Sequence, residues 1–181
     1  MNSTDKSLKE KSIVFIGFMG AGKTTIGKLV ANKLSREFID IDKEIETEYN
    51  MTTSAFFKTY GEKAFRQKEK SLISQFSNQP DKIISVGGGA FLQEEVQQNC
   101  LSNCMVIFLD VTWDSWKNRL HLLMDSRPVL QGKSEEEIKE LFYNRQSIYS
   151  KHHLKVQTDT LDSEETADYI VGLLQSAEVY K

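Results

Sequence analysis

The stretch Gly17-Phe18-Met19-Gly20-Ala21-Gly22-Lys23-Thr24 matches the pattern G-x-x-x-x-G-K-[ST] at every position. It follows a short apolar run and opens a helical segment, and this context gives the match its meaning. Gly17, Gly20 and Gly22 let successive backbone N–H groups face one anion, because no side chain obstructs the turn. The helix that follows adds the positive end of its dipole. Lys23 is placed to reach the β- and γ-phosphates of a nucleoside triphosphate, and the Thr24 hydroxyl suits a divalent metal. Gly20, Ala21, Gly22, Lys23 and Thr24 thus form the nucleotide side. Thr25 is grouped with them, although its side chain is expected to serve the packing of the helix. The loop alone defines a nucleotide site and no reaction.

Outward from this loop, short β-branched runs alternate with helical segments. The strand candidates are Ser12–Phe18, Glu37–Ile39, Lys82–Val86, Cys104–Asp110 and Leu154–Gln157. Their apolar residues are nearly continuous rather than alternating, as parallel strands covered on both faces require. Ser134 with Glu137 reads as a capping box, and Asp162 with Glu165 repeats the device. The last helix carries Ala167, Ile170, Val171 and Leu174 on one stripe. The expectation is a doubly wound α/β fold, a three-layer α/β/α domain on a five-stranded parallel sheet. Ligands bind such sheets beyond the carboxyl ends of the strands, where each motif below falls.

The 181 residues suffice for one domain with its own core, and no repeat or linker divides 1–181. A net charge of −3 with no basic block argues against extended nucleic-acid binding. The polar tail 1–11 lacks the apolar region of a secretory signal, and no apolar run approaches membrane length. A cytoplasmic protein is expected. Cys100 and Cys104 read as reduced thiols near a strand start, since no further Cys or suitably placed His completes a metal site. His152 and His153 read as surface or loop residues.

After the second strand stands Asp40-Ile41-Asp42. In an extended segment the two carboxylates share a side and can both face the crevice, one near a metal and one near an acceptor hydroxyl. They can equally cap the next helix. Further on, Gly61 to Arg66 opens a helix, with Glu69 on the same face as Arg66. Such a pair is either a solvated surface contact or a guanidinium held ready for a carboxylate ligand. The third strand ends in Gly87-Gly88-Gly89, where bare backbone suits a close ligand. Ser85 before them fits either a metal's water shell or an ordinary strand.

With these residues assembled, the chain resembles the shikimate kinase family from about Ser12 to Ile170. The resemblance is carried by Gly17–Thr24, Asp40-x-Asp42, Arg66 within Gly-Glu-x-x-Phe-Arg, Gly87–Gly89, Arg127-Pro128-Val129-Leu130 and Arg145-x-x-x-Tyr149, in order. It implies a fold like that of the nucleoside monophosphate kinases and transfer of the γ-phosphate of ATP to the 3-hydroxyl of shikimate. It also implies Mg²⁺ held by Thr24 and, through water, by Asp40. Lys23, Asp42 and Arg127 would form the catalytic set, with Asp42 contacting the acceptor hydroxyls as candidate base. Arg66 and Arg145 would bind the acceptor's carboxylate, Gly87, Gly88 and Gly89 would line its site, and Arg119 would lie near adenine. Arg127 would come from a mobile lid at about 121–134, and a monomer acting on small molecules is expected. His121–Lys133 lacks clean periodicity, in keeping with a segment that closes and excludes water.

The sequence departs from the family pattern at Val129, a conservative change where leucine is more frequent, and at Val86 and in Thr112–Trp116, which bear on nucleotide fit, not on the reaction. Phe56 and Phe57 offer either an apolar wall for a ring or core packing. A gluconate or nucleotide kinase and a P-loop module without turnover are the competing readings. The paired arginines argue against the former, and the intact Lys23, Thr24, Asp42 and Arg127 against the latter.

Overall fold

In the computed structural model the described residues are 10–124 and 127–179; residues 1–9 of the polar tail and 125–126 of the lid segment lie outside them. Five parallel strands form one sheet in the order β2-β3-β1-β4-β5: β1 (Ile13–Ile16), β2 (Glu37–Asp40), β3 (Lys82–Ser85), β4 (Met105–Asp110) and β5 (Leu154–Gln157). The central strand β1 is buried throughout, and Val14 sits in register with Ile84 on one side and Val106 on the other. All three side chains have no exposure, which explains their continuous apolar reading.

The helices are α1 (Lys23–Leu34), α2 (Ile41–Tyr49), α3 (Thr53–Ser77), α4 (Glu94–Asn103), α5 (Trp113–Lys117), α6 (Leu120–Leu123), α7 (Glu135–Tyr149) and α8 (Ser163–Val179). They cover both faces of the sheet. Helix α1 lies along β2 and β3 and pairs with α8, while α3 and α4 pair with each other against β3 and β4. Ala167 and Ile170 of α8 are fully buried in that contact, with Val171 and Leu174 packed at its margin. Both capping boxes form. The Ser134 hydroxyl accepts from Glu137 N at 3.2 Å and Glu137 accepts from Ser134 N at 2.7 Å; Asp162 and Glu165 exchange the same pair of bonds.

One local feature differs from the reading by period, and another agrees with it. Helix α2 begins at Ile41, so Asp42 stands in a first helical turn and not on an extended segment. Asp40 and Asp42 share the crevice because one ends a strand and the other starts a helix. Helix α3 breaks at Gly61, whose φ of 82° and ψ of 166° only glycine adopts readily. The turn that carries Arg66 and Glu69 therefore starts afresh after Gly61, as the sequence led us to expect.

The thiols of Cys100 and Cys104 are free and buried, and burial raises the Cys100 pKa well above the ordinary thiol value. Among the described residues no cluster of acids, histidines and cysteines could hold a metal by itself. The histidines are fixed at the sheet edge: His153 Nδ1 accepts from Val106 N at 2.9 Å, and His152 Nδ1 meets the Tyr149 carbonyl at 2.7 Å.

Candidate active site

The phosphate loop leaves the central strand and turns into α1. Gly22 caps that helix at φ 100°, and no side chain satisfies its first N–H groups, which leaves them for a ligand. Lys23 folds over the loop, donating to the carbonyls of Gly17 at 2.8 Å and Phe18 at 3.0 Å. Burial, and then the neighbouring charge of Arg127, bring its pKa down to about 8. Aromatic packing holds the loop from behind. Trp116 is fully buried, meets Phe18 edge-on at 5.0 Å and donates its indole N–H to the Met19 carbonyl at 2.6 Å. Arg119 donates to the Gly20 carbonyl at 3.1 Å, at the nucleotide end of the cleft.

The cleft over this loop has a volume of about 760 Å³ and is lined by Gly20, Gly22, Lys23, Thr24, Thr25 and Asp40, among others. Thr25 is exposed to it, so the expectation that it packs the helix is corrected. The Thr24 hydroxyl donates to Asp40 Oδ2 at 2.7 Å, while Asp40 Oδ1 accepts from Lys43 N at 3.3 Å. Asp40 thus caps α2 and faces the cleft as well; the two readings of it were not alternatives. Ser85 is buried yet borders the same cleft.

A second cavity of about 250 Å³ adjoins it, and Met19, Asp42, Thr53, Gly87, Gly88 and Arg127 line both. Phe57 walls the second cavity, whereas Phe56 is core at 2% exposure, so the pair divides between its two readings. Arg66 and Arg145 both face the cavity. Arg66 donates to Glu69 at 2.7 Å, and Glu69 has no exposure at all. The surface-contact reading of this pair is therefore wrong; it is a buried charge with its guanidinium turned to the cavity. A Cβ on Gly89 would collide with that guanidinium, and one on Gly87 would lie 3.0 Å from Glu69 Oε1 and 3.1 Å from Asp42 Oδ1. The Gly88 carbonyl receives two donors from α7, Arg145 Nη1 at 3.0 Å and Tyr149 Oη at 2.5 Å.

From the segment 121–134, whose described parts include α6 and a 3₁₀ turn at Pro128–Leu130, Arg127, Pro128 and Val129 line this cavity. Arg127 lies 3.7 Å from Asp42 Oδ2. Burial and the nearby Asp40 raise the Asp42 pKa above the usual carboxylate value, with Arg127 and Lys23 opposing. Among the described residues four buried side-chain atoms lack a hydrogen-bond partner, and three of them, Asp42 Oδ1, Glu69 Oε1 and Arg127 Nε, belong to residues lining this cavity. Buried polar atoms are rarely left without a partner, and three of them around one cavity suit a polar occupant, whether water, ion or ligand.

Except for Ala21, which is buried, every site residue predicted from the sequence lines one or other cavity. The structure adds Glu62 and Phe65, which the Gly-Glu-x-x-Phe-Arg stretch contained without a role, and Gln93 and Trp116, which only the fold brings to the site.

Fold and cleft together define the class: a P-loop phosphotransferase whose acceptor is small and enters opposite the nucleotide. A family model for shikimate kinase matches residues 19–175. The shikimate kinase of Oceanobacillus iheyensis is 54% identical over 175 residues, covering 96% of each chain. That of Bacillus licheniformis is 54% identical over 170 residues, 93% of this chain and 96% of its own. Among solved structures, shikimate kinase from Acinetobacter baumannii in complex with shikimate superposes with a TM-score of 0.85 at 28% identity, covering 93% of this chain and 94% of its own. The chain belongs to the shikimate kinase family.

Proposed function

We infer that this chain transfers the γ-phosphate of ATP to the 3-hydroxyl of shikimate, a step of aromatic amino acid and chorismate biosynthesis. The observation that carries this reading is the second cavity. It sets two arginines for a carboxylate and three unpartnered buried polar atoms for hydroxyls and a phosphoryl group beside the phosphate loop. The whole of 1–181 acts as a single kinase domain, with both substrate sites lined by one chain, which accords with a monomer. A net charge of −3 and, among the described residues, no helix long and apolar enough to cross a membrane accord with a cytoplasmic enzyme of small molecules that needs no nucleic acid.

In this reading Gly20, Ala21, Gly22, Lys23, Thr24 and Thr25 take the phosphates, with Arg119 toward the adenine. The Thr24–Asp40 pair would suit Mg²⁺: a hydroxyl and a carboxylate oxygen 2.7 Å apart, with no larger cluster of acids, histidines and cysteines among the described residues, would hold an ion that keeps most of its waters. Bound there, Mg²⁺ supplies charge neutralisation at the β- and γ-phosphates. Arg66 and Arg145 receive the acceptor's carboxylate, and Gly87, Gly88 and Gly89 let its ring lie against backbone. Asp42 accepts the hydrogen bond of the attacking hydroxyl and takes up its proton as the phosphoryl group arrives. Lys23 and Arg127 then stabilise charge on the moving phosphoryl group, and the lid keeps water from competing for it. Most of the catalysis is positioning and electrostatics.

Coupled ADP release measured with shikimate, gluconate and nucleoside monophosphates tests the reading. Turnover with shikimate alone is expected. ATP binding without turnover on any acceptor, or preference for another acceptor, would overturn it.

A further inference from the structure

Gln93 stands at the N-cap of α4, a position that favours Ser, Thr, Asp or Asn, and its side chain makes no cap bond. A residue that breaks the local rule invites a reason elsewhere. Its amide turns away from its own helix and donates to Glu69 Oε2 on α3 at 3.1 Å. The same oxygen accepts from Arg66 Nη1 at 2.7 Å, so two donors from different helices converge on one atom of a fully buried carboxylate. Glu69 Oε1 remains without a partner, directed toward the segment of Gly87.

We propose that Gln93 is a positioning residue for the acceptor site, holding the Glu69 carboxyl group oriented so that Arg66 presents its guanidinium to the acceptor's carboxylate. The proposal rests on the shikimate kinase reading for what Arg66 binds, but not for the Gln93–Glu69–Arg66 relay itself. Geometry ties Gln93 to the glycine segment as well. Only the 3₁₀ turn Ala90–Leu92 separates it from Gly89, and Gln93 N donates to the Ala90 carbonyl at 3.1 Å. Gln97 closes the same turn by donating to the Phe91 carbonyl at 2.5 Å. One short hydrogen-bonded turn therefore joins the backbone that lines the cavity to the amide behind Glu69.

The electrostatics agree. Burial pushes the Glu69 pKa up to about 7, against the pull of Arg66 and of the Gln93 hydrogen bond, with Asp42 adding to the rise. The groups that face Glu69 are Arg66 on its own helix, Asp42 from α2 and Gln93 from α4; Glu62, Arg127 and Arg145 line the same cavity. Glu69 is thus balanced near neutrality. Loss of the Gln93 donor moves it further toward the protonated form, and the bond to Arg66 weakens accordingly.

Gln93→Leu removes the donor at similar size, and Gln93→Glu replaces it with a second acid. At pH 7, Gln93→Leu is expected to raise KM for shikimate about fivefold to tenfold, the effect of one hydrogen bond of ordinary strength acting through Arg66. The deficit shrinks toward pH 9 as Glu69 ionises, KM for ATP stays within about twofold, and Gln93→Glu moves the pH midpoint further up than Gln93→Leu. A shikimate KM that follows the wild-type pH curve, or an ATP KM that rises in step, overturns the proposal. A second measurement needs no substrate. Because the folded pKa of Glu69 lies above its unfolded value, the fold holds the proton longer. Stability from this group is therefore complete below about pH 4.5 and is lost as pH climbs to about 7. In Gln93→Leu the loss continues above pH 7, where the wild-type melting curve has flattened. Parallel Tm-against-pH curves refute the relay whatever the acceptor is. Absence of shikimate turnover by the wild type refutes the functional reading instead.

Discussion

Arg66 shows how little a residue's type says about its task until its partner's burial is known. On a helix surface, Arg and Glu three apart contribute a few tenths of a kcal/mol. Here Glu69 has no exposure and the guanidinium, about one-fifth exposed, closes a cavity wall. Arg66→Ala is expected to raise KM for shikimate about 10- to 100-fold, as for the loss of charged hydrogen bonds worth about 1.5–3 kcal/mol. The ATP KM moves by less than about twofold. Initial-rate kinetics with each substrate varied in turn decide it, and equal effects on both would remove Arg66 from the acceptor site.

At the scale of elements, the break at Gly61 sets where the Arg66 turn begins. No atom would meet a Cβ there, so substitution costs only through the backbone, whose φ of 82° an alanine adopts poorly. Gly61→Ala is expected to lose about 1–3 kcal/mol of stability, a fall in Tm of about 2–10 °C for a chain this long. An unchanged Tm in thermal unfolding would show that α3 can straighten. The break also shows how much of the fold and site was legible beforehand. Strands announced themselves because parallel strands are apolar without alternation; the five runs were located within one or two residues at their ends. Capping boxes were legible because their chemistry is local. Period alone failed at Asp42, since two residues cannot say whether the chain has already turned helical. It failed at Glu69 for a different reason: burial of a charge is decided by α4, through Gln93, far along the chain. Phe56 and Phe57 look alike in sequence and part company only once α3 is docked.

Considered as a whole molecule, the two cavities share a wall made of Met19, Asp42 and Arg127 with the end of β3. Ligands on either side must therefore bias the same side chains. ADP and shikimate are expected to change each other's dissociation constants, and by an identical factor in both directions. Fluorescence titration reads this through Trp116, whose indole is bonded to the phosphate loop, in a Trp113→Phe background. Strictly independent constants would mean the shared wall does not move. Helix α7 contributes to that wall from 57 and 61 residues downstream, where Arg145 and Tyr149 both donate to the Gly88 carbonyl. Two donors on one carbonyl draw electron density along the amide bond and leave its nitrogen end more positive. The nitrogen in question is that of Gly89, which lines the acceptor cavity. An uncharged peptide unit is thereby made a stronger donor toward an anionic ligand, by two side chains of one distant helix.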